Sequence, residues 1–178
     1  MGIQQINATY VADEDRLLLR VTTSQEQEYR LWLTRAVVAQ WLALSDQAVV
    51  NALTSEHPPA QAQAIASFKE DVLAQKENFA QAFKPASDFP LGDKPQLVTR
   101  IKVKTDGADC KLVLALSSQQ TLTLHLGQDL LLRTKLLIKR VSAQATWFKV
   151  EGFESLNKST AQDPGKDRSD AERVKLLH

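Results

Sequence analysis

RLLLRVTTSQEQEYRLWL, residues 16–33, is the stretch whose reading decides the fold class. Its large apolar residues recur at every second position on both sides of a polar centre. Successive side chains of a β-strand point to opposite faces, so this alternation is that of a half-buried antiparallel hairpin. Leu17, Leu19 and Val21 then share one face with Tyr29, Leu31 and Leu33. The opposite face carries Arg16, Leu18, Arg20, Glu28, Arg30 and Trp32. An earlier strand over residues 3–11, joined through the acidic turn Asp13-Glu14-Asp15, completes a three-stranded meander.

The period changes after Thr34. Val37, Val38, Trp41, Leu42, Leu44, Val49 and Leu53 recur at helical spacing and predict a helix. Pro58-Pro59 interrupts it and opens a second helix over 60–83, because a proline in the first turn sacrifices no hydrogen bond. Ile65, Phe68, Val72, Phe79 and Phe83 form the expected apolar stripe of that helix. Residues 84–95, with three prolines and a glycine, exclude both helix and ladder. The alternating pattern then returns in VTRIKVK, CKLVLAL and TLTLHL, followed by a helical stretch over 129–147.

Leu17, Leu19 and Val21 align with Leu112, Leu114 and Leu116, and Leu31 and Leu33 with Leu124 and Leu126. The expected fold is therefore α+β, built from two pseudo-twofold-related βββα repeats with an extra connecting helix. Its expected divisions are a first repeat over 1–55, a connecting helix and Pro-rich linker over 56–95, a second repeat over 96–150 and a mostly disordered tail over 151–178. Within that tail Ser169 and Glu172 make a capping-box pattern ahead of Val174 and Leu177.

At 178 residues with 43% apolar content the chain is long enough to bury a substantial core. Lys and Arg total 22 against 21 acidic residues, so no global charge draws it to nucleic acid or membrane; a patch must come from distribution over faces. The single cysteine, Cys110, lies in an apolar run and reads as a small buried hydrophobe. The start, MGIQQINATYVADEDR, has no basic segment followed by an apolar run, and no window reaches the ~20 apolar residues that span a bilayer. The expectation is a cytoplasmic protein without membrane contact.

No catalytic constellation is expected. His57 lies beside prolines, His125 on a strand and His178 at the terminus, none with an evident nucleophile or carboxylate partner. No Cys or His pair has metal-ligand spacing, and the glycines are too scattered for a phosphate-cradling loop. The expectation is a non-enzyme with no cofactor and no metal.

The outward sheet faces are the more informative feature. With a two-residue turn at Asp106-Gly107, Val103 faces Cys110, Ile101 faces Leu112, and Lys102 sits opposite Lys111 with Arg100 and Lys104 on the same face. Like charges across a ladder are unfavourable, so such a row marks either an anion-binding surface or a solvated face offset by Asp109, which that register places opposite Lys104. In the first half Trp32 with Arg20 and Arg30 suits base stacking and phosphate contact, and equally protein contact. The last helix has a main stripe of Leu130, Leu137, Ile138 and Val141. Leu132 and Leu136 form its second apolar side, flanked by Arg133, Lys135, Lys139 and Arg140. Two apolar sides imply burial on both, against the other half or a second subunit.

A basic meander running into an amphipathic helix, in RLLLRVTTSQEQEYRLWLTRAVVAQWLALSD and again over 97–147, resembles the repeats of the PUR and Whirly single-stranded nucleic-acid-binding folds. The RLWLTR segment is also similar to small uncharacterised bacterial proteins of YjeJ-like type, a likeness that carries no function. The outward faces, with this likeness beside them, give the first expectation: a non-enzymatic binding module that holds single-stranded nucleic acid through Arg20, Arg30, Trp32, Arg100, Lys102, Lys104 and Lys111. The alternative is an assembly or homodimer subunit using Leu132, Leu136, Arg133 and Arg140. Two departures stand out: the second half lacks an outward aromatic, and the connecting helix is additional.

Overall fold

The computed structural model describes residues 2–54, 56–76, 81–106, 109–145 and 147. The fold is α+β, a six-stranded, mostly antiparallel sheet with three helices. The strands are β1 (Ile3–Val11), β2 (Arg16–Thr23), β3 (Glu28–Leu33), β4 (Gln96–Asp106), β5 (Asp109–Leu116) and β6 (Thr121–Gly127), in that spatial order. The helices are α1 (Arg35–Leu53), α2 (Pro59–Lys76) and α3 (Gln128–Gln144). Residues 1–148 form one compact unit. The expected tail and its capping box lie outside the described residues.

Within each meander the pairing follows the alternation. Leu17, Leu19 and Val21 stand opposite Leu33, Leu31 and Tyr29, and Leu112 and Leu114 opposite Leu124 and Leu122. All of these are buried, as are Leu116 and Leu126. The two meanders are joined by a short parallel contact, Leu31 with Gln96 and Trp32 with Leu97, which makes one continuous sheet. The sheet curls far enough for its outermost strands, β1 and β6, to approach each other. Helix α1 packs on β4 and α3 on β1, β5 and β6, closing one face of the sheet.

Local sequence explains the helix boundaries. The Thr34 side chain accepts from the Val37 N–H at 3.4 Å, capping α1, whose Val37, Val38, Trp41, Val49 and Leu53 are buried. Helix α2 opens at Pro59 as expected, yet it is described only to Lys76 and is lightly packed on α1 and α3. Ala62 is its only buried residue, Ile65 and Val72 are half-buried, and Phe68 is 69% exposed. The expected stripe through Phe83 is corrected: Phe83 lies in the irregular segment that follows, and Phe79 is outside the described residues.

The β4–β5 register also differs from expectation. Asp106 pairs with Asp109, so the ladder runs further than a two-residue turn at Asp106-Gly107 would allow. Relative to that expectation every partner is shifted by two residues, which leaves the inward and outward sets unchanged. Lys111 therefore faces Lys104, not Lys102, Val103 faces Leu112, Ile101 faces Leu114, and Asp109 is no longer opposite a lysine.

Candidate anion-binding face

The side of the sheet away from the helices divides into an open half and a covered half. On the open half, Arg100 lies beside Ala115, Lys102 beside Val113 and Lys104 beside Lys111, with Lys111 next to His125 on β6. Arg100, Lys102, Lys104, Lys111, Thr121, Thr123 and His125 are all exposed. A β-bulge between Val98 and Arg100 makes this alignment possible. Val98 and Ile101 are both buried, an odd spacing that regular alternation forbids; the extra residue, Thr99, turns Arg100 out to the side of Lys102 and Lys104. The Thr99 hydroxyl donates to the Ala115 carbonyl at 3.1 Å, pinning the bulge.

Among the described residues none of the four cations carries a salt bridge. Between Arg100 and Lys102 a shallow pocket of about 140 Å³ is floored by Val113 and Ala115 and bordered by Thr121. Two cations, a hydroxyl and an apolar floor form a cradle suited to an anionic group attached to something flat.

The first meander's outer side is covered by the chain itself, which corrects the expectation of an open Arg20, Arg30 and Trp32 surface. The Gln5 side chain donates to the Ala82 carbonyl and accepts from the Lys84 N–H, both at 3.0 Å. The Arg20 guanidinium stacks 4.0 Å from the centre of the Phe83 ring and donates to Asn7 at 2.8 Å. Glu28, wholly buried, accepts from Arg30 Nε at 2.8 Å and from the Ala86 N–H at 3.1 Å. Asp88 pairs with Gln27 as a parallel bridge beside β3. The Phe89 ring stacks 4.3 Å from the Arg30 guanidinium, which also donates to the Asp93 carbonyl at 3.0 Å. A turn closed by the Gly92 N–H to the Phe89 carbonyl at 2.9 Å uses φ +85° at Gly92, which side-chain-bearing residues adopt only under strain. Trp32 is half-buried, between Leu18 on β2 and Leu97 on β4.

The second apolar side of α3 is likewise internal. Leu132 and Leu136 are buried within the chain, more deeply than Leu130 and Leu137, and Leu132 lines a crevice of about 270 Å³ between the three helices. Arg133 and Arg140 are exposed beside them. Sequence reading missed the charged centre of this crevice. Lys135, only 5% exposed, is bound by both Asp46 and Glu70, and Lys139 reaches Glu70 at 2.9 Å. Burial pushes the Glu70 carboxyl up, but the two ammonium groups outweigh it and hold the carboxyl below its ordinary range. For Lys135 burial acts downward and the two carboxylates prevail, raising its ammonium.

A third polar centre ties the sheet to the end of α3. The Asp15 carboxylate accepts from Trp147 Nε1 at 2.6 Å and from the Tyr10 hydroxyl at 2.9 Å, which together lower its pKa. Cys110 is buried, and burial raises its thiol. His57 is half-buried, and His178 lies outside the described residues. Among the described residues no cluster of three or more His, Cys, Asp or Glu is placed to hold a metal ion, and no helix is long and apolar enough to cross a membrane. No family model, no curated protein and no solved structure matches the chain.

Proposed function

We propose that the chain is a cytoplasmic, non-enzymatic binding module that holds single-stranded nucleic acid on the open outer face of β4, β5 and β6. The observation that supports this most is the set of four exposed cations, Arg100, Lys102, Lys104 and Lys111, gathered on one face without ion-pair partners among the described residues. Repulsion between such groups weakens the sheet, and phosphates would relieve it. The likeness to PUR and Whirly repeats and the duplication of a βββα unit belong to the same proposal, resting on the recurring order of three strands and a helix. Burial of Leu132 and Leu136 speaks against the alternative role in assembly, although Arg133 and Arg140 of that surface are exposed.

The test is fluorescence anisotropy of a labelled single-stranded 15-mer with the full chain and with K102E/K104E. Loss of two cationic contacts should weaken binding by more than about tenfold and reduce the salt slope by roughly 1.4. Equal affinities for the two proteins, with both folded by circular dichroism, would discard the proposal.

A further inference from the structure

The outer sides of the two meanders are parts of a single sheet surface, because β3 pairs directly with β4. Residues 81–93 cross the first part from β1 to β3, and their manner of attachment is informative. Only Phe83, Ala86, Phe89 and Leu91 are even half-buried there, the others being exposed. The segment is held by scattered hydrogen bonds and by two guanidinium–ring stacks, on residues that are themselves cross-strand neighbours, Arg20 and Arg30. An arginine plane stacks on a nucleobase as it does on a phenyl ring. Arg20 Nε, moreover, is buried with no acceptor among the described residues, so the present occupant leaves a donor of this surface unused.

We infer that residues 81–93 are a displaceable internal occupant whose Phe83 and Phe89 rings stand where bases of a longer single strand would stack on Arg20 and Arg30. This rests on the reading of the β4–β6 face as a nucleic-acid surface and extends it: a strand long enough to run past β4 competes with the segment for β2 and β3. The charge gained is modest, since Arg30 keeps Glu28 and only about one net positive charge is uncovered. The contribution is therefore stacking, with little added salt dependence.

The experiment uses the full chain, its F83A/F89A variant and the same variant carrying R20Q, titrated into labelled oligothymidylates of 8 and 20 nucleotides. The inference predicts that F83A/F89A binds the 20-mer more tightly than wild type by about tenfold or more, as expected for one stacked base or two, with the 8-mer unchanged. Adding R20Q should remove the share of the gain owed to Arg20 and leave that of Arg30. Gln5→Ala, which releases the Ala82 and Lys84 contacts and leaves both rings in place, should act in the same direction and covers the case in which the double variant fails to fold. Wild-type binding to both lengths without any gain in F83A/F89A or Gln5→Ala overturns the inference while leaving the open-face reading intact. Absence of binding in every protein overturns both.

Discussion

Replacing Glu28 by alanine is the sharpest structural perturbation the fold offers. Glu28 occupies an outward position on β3, yet it is 0% exposed, because the segment that crosses the meander seals it in. Its carboxylate makes two charge-assisted bonds, to Arg30 Nε and to the Ala86 N–H. Hydrogen bonds to a charged group contribute about 1.5–3 kcal/mol each, and stripping one partner from a buried ion pair costs about 3–5 kcal/mol. Arg30 is part-exposed and keeps the Asp93 carbonyl and the Phe89 ring, which places Glu28→Ala at the lower end, about 3 kcal/mol. In a chain of this size that is a fall in Tm of roughly 6–12 °C. Glu28→Gln keeps one neutral acceptor and should lose about half as much. Thermal unfolding followed by circular dichroism measures both, and amide exchange at Ala86 should accelerate in the same order. If Glu28→Ala melts within about 1 °C of wild type, the buried carboxylate does not hold the crossing segment and the description of the covered face is wrong.

Other substitutions separate stability from binding. Lys111→Glu turns the like-charged Lys104–Lys111 pair into an opposite-charged one, so it should raise stability by about 0.5 kcal/mol in urea unfolding while weakening oligonucleotide binding. Glu70→Gln leaves the buried Lys135 with Asp46 alone and should cost about 1–3 kcal/mol in urea unfolding, whereas Lys139→Met, at an ammonium whose side chain is 63% exposed, should cost less than about 0.5 kcal/mol. Asp15 has a folded-state pKa below its unfolded one, so its stabilising effect is complete above the ordinary aspartate range and disappears as pH falls through the lowered value. The stability gap between wild type and Asp15→Asn should accordingly be constant near neutrality and close on acidification, as measured by thermal unfolding across pH.

The strands were legible because parity is a local property. Leu17, Leu19, Val21, Leu31 and Leu33 alternate with polar residues, and nothing in the tertiary structure altered their faces. Thr34 as a helix cap and Pro59 as a helix opener are local signals as well. What was not legible depends on contacts between distant segments. Phe83 continues the helical spacing of Val72 and Phe79, so period alone assigned it to a helix face, whereas its ring pairs with an arginine more than sixty residues away. Glu28 follows the outward parity and so reads as solvated; only the crossing segment buries it. On α3 the two leucine sides differ in burial: Leu132 and Leu136 are buried and Leu130 and Leu137 half-buried, and Leu132 lines the crevice between the three helices. At the β4–β5 turn, Asp106-Gly107 is the stronger turn signal, yet the ladder continues through Asp106 to Asp109. The cationic row survived that shift because a displacement of two residues preserves faces.

The claim that matters most is that Arg100, Lys102, Lys104 and Lys111 act together on a strand of phosphates. The direct measurement is the dependence of the association constant for a short single-stranded oligonucleotide on salt. Four phosphates neutralised, at about 0.7 counterion each, predict a log–log slope of about −2.8, equivalent to roughly a 50-fold loss between 50 and 200 mM salt. A flat salt profile, or no association at 50 mM, would contradict the account.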